Sequence, residues 1–272
     1  MNLFLEILSY PFMIRALVVG ILVSLCAALL GVNLVLRRYA MIGDGLSHVG
    51  FGALAISAAL NTAPLLITIP VVIIAAFFIL RLTQNSKVKG DWLIAIISTG
   101  SLAIGVMIIS LTSGMNTDLN NYLFGSILSI NKSDMLISII ISMLVLILFV
   151  MFYNRIFSIT FDENFSRATG TNTNIFNMLI AILTAITIVL GMRLMGSMLI
   201  SSLILFPSLI SMRVFKSFKS VTISSAIVSV ICFVLGLFVS YIFETPTGAS
   251  IVVINIITLI IFSIISKIRC HN

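Results

Sequence analysis

Apolar residues in this chain come in long blocks separated by short polar stretches, not at the short alternating periods of a soluble fold. The blocks lie near 12–36, 43–60, 63–81, 92–112, 134–153, 174–191, 194–212, 221–242 and 248–267. Each is close to or above the ~20 residues that an α-helix needs to cross ~30 Å of hydrocarbon. The pattern therefore predicts an all-α, polytopic membrane helix bundle with about nine transmembrane helices. Only Gly191, Met192 and Arg193 part the sixth and seventh blocks, so a broken or re-entrant helix there would reduce the count to eight. No repeat or domain linker interrupts the pattern, and residues 1–272 read as a single transmembrane domain. The first block has no basic segment before it and no small-residue cleavage site after it, and is taken as a retained span.

The polar stretches assign sides. With the loop after each odd-numbered span placed in the cytoplasm, 12 basic residues fall inside (Arg37, Arg38, Arg81, Lys87, Lys89, Arg155, Arg167, Arg213, Lys216, Lys219, Lys267 and Arg269) and 3 outside (Arg15, Lys132 and Arg193). This bias predicts an N-terminus outside and a cytoplasmic C-terminus. Between the fourth and fifth blocks, SGMNTDLNNYLFGSILSINKSD is too short in its apolar middle to span and reads as an outer loop with an interfacial or re-entrant turn. The longest inner segment, from Asn154 to Thr173, contains ITFDENFSRATGT, which predicts a short charged surface helix ended by Gly170.

Composition narrows the class further. Hydrophobic residues make up 60% and charged residues 8%, with a mean hydropathy of +1.27; soluble domains carry about 25% charged residues, so a soluble core is excluded. The net charge of +7 sits between hydrophobic blocks, where it sets orientation, and no nucleic-acid reading survives. Cys26, Cys232 and Cys270 are scattered singly and give neither a disulfide framework nor a paired metal motif.

Candidate chemistry concentrates in RRYAMIGDGLSHVGFGALA, residues 37–55. Of the eight acidic residues, Asp44 alone lies beyond the end of an apolar block and into it, Asp134 being the first residue of its own block, and His48, one of two histidines, stands four residues after Asp44. Read as helix, Asp44, His48, Phe51 and Ala55 share one stripe. An ionisable group in a bilayer costs at least about 2.5–3.5 kcal/mol, which points to an ion or substrate path. The pair can be an intrahelical hydrogen bond inside a bundle. It can equally be half of a site for a borderline metal such as zinc, manganese or iron(II), which takes carboxylate oxygen and imidazole nitrogen. A second copy across a two-fold axis would supply the missing ligands, with Asp44 roughly 10 Å from the inner face. Gly43, Gly45, Gly50 and Gly52 would let neighbouring helices approach, or are ordinary packing residues. Lesser candidates are Cys270 with His271 at the tail, Glu244 before Pro246, and Met192, Met195 and Met198. The sequence contains no phosphate-binding GxxxxGK[ST] loop, no HExxH and no GxSxG. Any ATP drive must come from a partner.

Several ordered segments resemble the permease subunit of the zinc/manganese/iron family of ABC transporters. PFMIRALVVGILVSLCAALLGVNLVLRR resembles the family's first span, and MIGDGLSHVGFGALA its GDALSHAVLPGVALA pattern, in which Gly43, Asp44, Ser47 and His48 coincide while Gly45, Gly52 and Ala53 replace alanine, proline and glycine. NYLFGSIL resembles the family's short YLFG segment. FDENFSRATGTN resembles its cytoplasmic FDPELARALGI segment, keeping Asp162, Arg167, Ala168 and Gly170, with Asn164 and Ser166 where glutamate and alanine are usual. GSMLISSLILFPS and TPTGASIVV resemble two further family segments.

The resemblance implies a subunit of the bacterial plasma membrane, not an enzyme, that imports a divalent transition metal and holds no permanent cofactor. It implies Asp44 and His48 as metal contacts and Asp162, Glu163, Arg167 and Gly170, within residues 160–173, as the coupling segment. Partners implied are cytoplasmic ATP-binding subunits and an extracellular metal-binding lipoprotein or periplasmic protein, besides membrane lipid and a second copy in a homodimer. Zinc is favoured, although ligands of this type do not select one metal. A self-contained channel or proton-coupled carrier using Asp44 and His48 as a relay is the alternative. An intramembrane enzyme ranks last, because no nucleophile stands near the pair.

Overall fold

In the computed structural model, residues 10–62, 64–85, 90–112 and 132–271 are described, and every regular element among them is helical. In chain order these are α1 (Pro11–Leu36), α2 (Ala40–Ala59), α3 (Pro64–Asn85), α4 (Gly90–Leu111), α5 (Lys132–Met151), α6 (Tyr153–Phe161), α7 (Glu163–Ala168), α8 (Thr173–Met195), α9 (Ser197–Val214), α10 (Phe218–Phe243) and α11 (Thr247–His271). Each of the nine apolar blocks is a helix. Six helices are individually long and apolar enough to cross a membrane: α1, α4 from Trp92, α8, α9, α10 and α11 up to Ile268. A seventh candidate joins α5 to α6 across a 67° bend. The apolar stretch of α3, Ile67–Leu82, is shorter, and α2 is diluted by Asp44, His48 and its glycines and serines. The expected outer loop and its NYLFG segment lie outside the described residues.

The bundle is built around α1, α2, α8 and α9, whose buried Val23, Leu46, Phe51, Met192 and Ile204 belong to one continuous core. Two-thirds of α1's most apolar window (67%) is buried, against 17% for α4, so α4 is held by one face and leaves the other free. Close helix approach depends on missing side chains. A Cβ on Gly31 of α1 would collide with the Ile204 carbonyl oxygen of α9, and one on Gly52 of α2 would lie 2.8 Å from the Ser101 carbonyl oxygen of α4. Both contacts are to backbone, which cannot rotate away, and apolar helices in lipid associate through such small-residue contacts.

The break expected at Gly191–Arg193 falls three residues later. Helix α8 runs without interruption to Met195, and the turn is made at Gly196, with φ 91° and ψ 156°, a backbone region essentially restricted to glycine. Gly191 instead gives room to the Ile200 side chain of α9. Spacing alone did not tell a packing glycine from a turning one.

Candidate metal-transfer site

Asp44 lies in the second turn of α2 and His48 one turn further on. The Asp44 Oδ1 to His48 Nε2 distance is 3.7 Å, with the side chains 47% and 23% exposed. That is too long for a hydrogen bond. It is close to the separation of roughly 3.4 Å expected between two ligands bound to one ion at ~2.0–2.1 Å in tetrahedral geometry. His48 Nδ1 is buried and has no hydrogen-bond partner in the structure. The intrahelical hydrogen bond allowed by the spacing is thus not formed, and the two groups are left with coordinating capacity.

Both side chains line a cleft between α2 and α4, together with Met41, Ile94, Ser98, Thr99 and Leu102. Ile94 Cγ2 would come within 2.6 Å of a Cβ at Gly45, so glycine there is what lets α4 reach the pair. Ser98 and Thr99 line the same cleft, the Thr99 hydroxyl donating to the Ala95 carbonyl of its own helix at 2.7 Å. Sequence reasoning passed over them because they lie some fifty residues downstream in an apolar block and match no spacing rule. Ser47 points elsewhere: it is buried, its Oγ donates to the Asp44 carbonyl at 2.7 Å, and it lies 3.2 Å from Ser201 Oγ of α9. It ties α2 to α9. The predicted stripe splits as well, because Phe51 and Ala55 are fully buried and the Phe51 ring packs against Gly105 of α4. Only its first two members face the cleft.

Among the described residues, no group of three or more histidine, cysteine or acidic side chains could hold a metal. Met192 and Met195 are in the core, and Met198 is half exposed. Glu244 caps the C-terminal end of α10 in a left-handed conformation, φ 51°. The side chains of Cys270 and His271 lie outside the described residues.

The segment expected to couple folds as a short helix tied to its neighbours. Asp162 caps α7, its Oδ1 accepting from the Phe165 amide at 2.8 Å, an arrangement worth about 1 kcal/mol to a helix. Gly170 ends the turn at φ 84°. Ser166 is buried and bonded to Ser158 and the Asp162 carbonyl, whereas Phe161 and Phe165 stand exposed. Glu163 is turned inward. Its Oε2 meets Arg37 Nη2 at 2.6 Å, and its Oε1 accepts from Asn177 Nδ2 at 3.1 Å. Arg37 Nη1 completes the set by donating to Asn177 Oδ1 at 2.6 Å. Arg167, 63% exposed, reaches Glu163 Oε1 at 3.5 Å and bonds Thr173. The sequence marked Arg37 only as a charge that sets orientation, and gave no sign of Asn177.

Comparison with known proteins places this architecture. The profile of the ABC 3 transport family matches residues 9–266. The high-affinity zinc uptake system membrane protein ZnuB of Haemophilus influenzae is 31% identical over 244 residues, covering 90% of this chain and 94% of its own. The manganese import system permease protein ScaB of Streptococcus gordonii is 31% identical over 262 residues, covering 96% and 94%. Among solved structures, PsaBC from Streptococcus pneumoniae in complex with Fab superposes with a TM-score of 0.83 at 30% identity, covering 93% of this chain and 91% of that one. The full-length match, the helical bundle and these relatives together establish that the chain belongs to the ABC 3 transport family and is a multi-pass membrane permease subunit rather than an enzyme.

Proposed function

We propose that this chain is the translocating subunit of an importer that moves a divalent transition metal across the bacterial plasma membrane. Separate ATP-binding subunits drive it, and an extracellular solute-binding protein supplies the ion. The observation that carries the reading is the Asp44/His48 pair, held near ligand-to-ligand distance, without a hydrogen bond between them, in a partly open cleft. The relatives named for zinc and manganese transport support the substrate class, and zinc remains the favoured cargo because carboxylate with imidazole suits it. A closed four-ligand cage would trap an ion that has to leave. Two ligands on each of two copies, facing a shared path on a two-fold axis, give a site that assembles and opens with the transport cycle.

In this reading nine spans cross the membrane with the N-terminus outside, and α7 lies on the cytoplasmic face. Exposed Phe161 and Phe165 support this, since two large aromatics on a short polar segment suit a protein groove better than water. The channel or proton-relay alternative needs a chain of ionisable groups through the bundle, and α2 carries this pair alone. The test is uptake of zinc, manganese and iron(II) into vesicles containing the chain with its ATP-binding and solute-binding partners. ATP-dependent accumulation of one of these metals is expected. Uptake that persists without ATP and follows a proton gradient would favour the carrier instead. Phe165, 62% exposed, is the site for a topology reporter: a Phe165→Cys thiol should be labelled from the cytoplasmic side alone, and labelling from outside intact cells would reverse the orientation.

A further inference from the structure

We propose that Arg37, clamped between Glu163 and Asn177, is the positioning residue that transmits movement of α7 to the helix bearing Asp44 and His48. The proposal rests on the reading of α7 as the segment that meets the ATP-binding subunit.

Helix α7 has six residues and packs on α6 and α8. What joins it to the start of α2 is one guanidinium. Arg37 is the residue immediately after α1, its side chain is 10% exposed, and its two terminal nitrogens point to different elements: Nη2 to Glu163 of α7 and Nη1 to Asn177 of α8, both at 2.6 Å. A planar fork with fixed donors holds both partners at once in a way a lysine point charge does not. Glu163 and Asn177 are themselves bonded at 3.1 Å, so three elements meet in a closed triangle.

From Arg37 to α2 the path is short and stiff. Arg38 adopts a left-handed conformation, φ 63°, rare for a residue with a side chain. The Tyr39 amide bonds the Leu34 carbonyl at 2.7 Å, and the Arg37 guanidinium lies 5.5 Å from the centre of the Tyr39 ring. Helix α2 then begins at Ala40, with Asp44 in its second turn. A shift of Arg37 is therefore passed on as a tilt of the first turns of α2.

The packing around the triangle is incomplete at one point. A small cavity lies beneath the triangle, lined by Tyr39, Ile42, Ala76 and Thr184 as well as Arg37 and Asn177. The Thr184 hydroxyl is buried there without a hydrogen-bond partner. Close-packed interiors resist displacement; here the ion pair borders a cavity of about 20 Å³, room for about one water. One further link, Thr160 Oγ1 donating to Asn33 Oδ1 at 3.0 Å, joins α6 to α1 a turn earlier and acts on α1 rather than on the elbow.

The experiment measures metal moved per ATP hydrolysed by the complete transporter in vesicles, using zinc and manganese as probes, for wild type, Glu163→Gln, Arg37→Lys and the exchange pair Arg37→Glu/Glu163→Arg. Glu163→Gln is expected to assemble and hydrolyse ATP while its transport ratio falls by about tenfold. Arg37→Lys should fall between it and wild type, and the exchange pair should regain part of the loss. A purely structural brace would behave differently, lowering thermal stability, hydrolysis and uptake together at an unchanged ratio, and that result overturns the proposal. So does a wild-type ratio in Glu163→Gln. If Glu163→Gln does not assemble, Asn177→Ala keeps the ion pair and loosens its clamp; a ratio lowered about threefold supports the proposal and an unchanged one ends it. Failure of the wild-type complex to accumulate either metal under ATP would instead reject the underlying transport reading.

Discussion

Asp44→Asn and His48→Ala should each reduce ATP-driven metal uptake by more than about 100-fold, because loss of a group that merely supports a ligand already costs about 10–100-fold in metal affinity or activity. The geometry makes the test clean. At 3.7 Å the two side chains are not hydrogen-bonded to one another, and a partly exposed i,i+4 ion pair contributes only about 0.3–0.5 kcal/mol, so removing one group costs little stability. Asparagine keeps the shape of aspartate, and both positions are partly exposed, so neither change should open a cavity in the core. Each variant should therefore insert, bind its ATP-binding partner and retain thermal stability near that of wild type while uptake is lost. Wild-type uptake by either variant would refute the site. Loss of uptake accompanied by poor insertion would return the pair to a structural role.

The second large effect concerns the shared path. If two copies face each other across the α2–α4 cleft, a cysteine introduced at Thr99, which lines that cleft, should form a disulfide-linked dimer nearly quantitatively under mild oxidation. Cys26 and Cys232 are buried and should not compete, and Cys270 can be replaced by serine beforehand. Ile264 of α11, which is exposed on a different helix, supplies the control: Ile264→Cys should remain uncrosslinked under the same conditions. The 17% burial of α4 is what a helix held on one side by its own chain and on the other by a partner or lipid would show. Two Asp44/His48 pairs meeting on an axis would give four ligands, the usual number for zinc. A Thr99→Cys protein that stays monomeric while Ile264→Cys crosslinks would place the two pairs in separate pores.

Phe51 illustrates why such reporters require the three-dimensional arrangement. On a helical wheel it continues the stripe of Asp44 and His48, yet it is fully buried with its ring against Gly105. Ser166 is similar: in a charged, water-facing segment its hydroxyl is nonetheless buried between α6 and α7. Periodicity reports which residues share a face of one helix, not which neighbour that face meets.

The sequence by itself determined the helical class, the positions of nine apolar helices, the Asp44/His48 pair and the short helix ended by Gly170. Each of these follows from local physics: the hydrophobic length needed to cross a bilayer, the cost of a charge among apolar residues, and the backbone freedom of glycine. It could not tell which glycine turns the chain, because Gly191 and Gly196 differ in what lies beside them, a neighbouring isoleucine in one case and a left-handed backbone in the other. Nor could it place Ser98 and Thr99 against the pair, or join Arg37, Glu163 and Asn177, which are separated by up to 140 residues. These pairings were decided only when α4 lay against α2 and α7 folded back beneath α1 and α8, since hydrogen bonds and ion pairs act over a few ångströms of space whatever the distance along the chain.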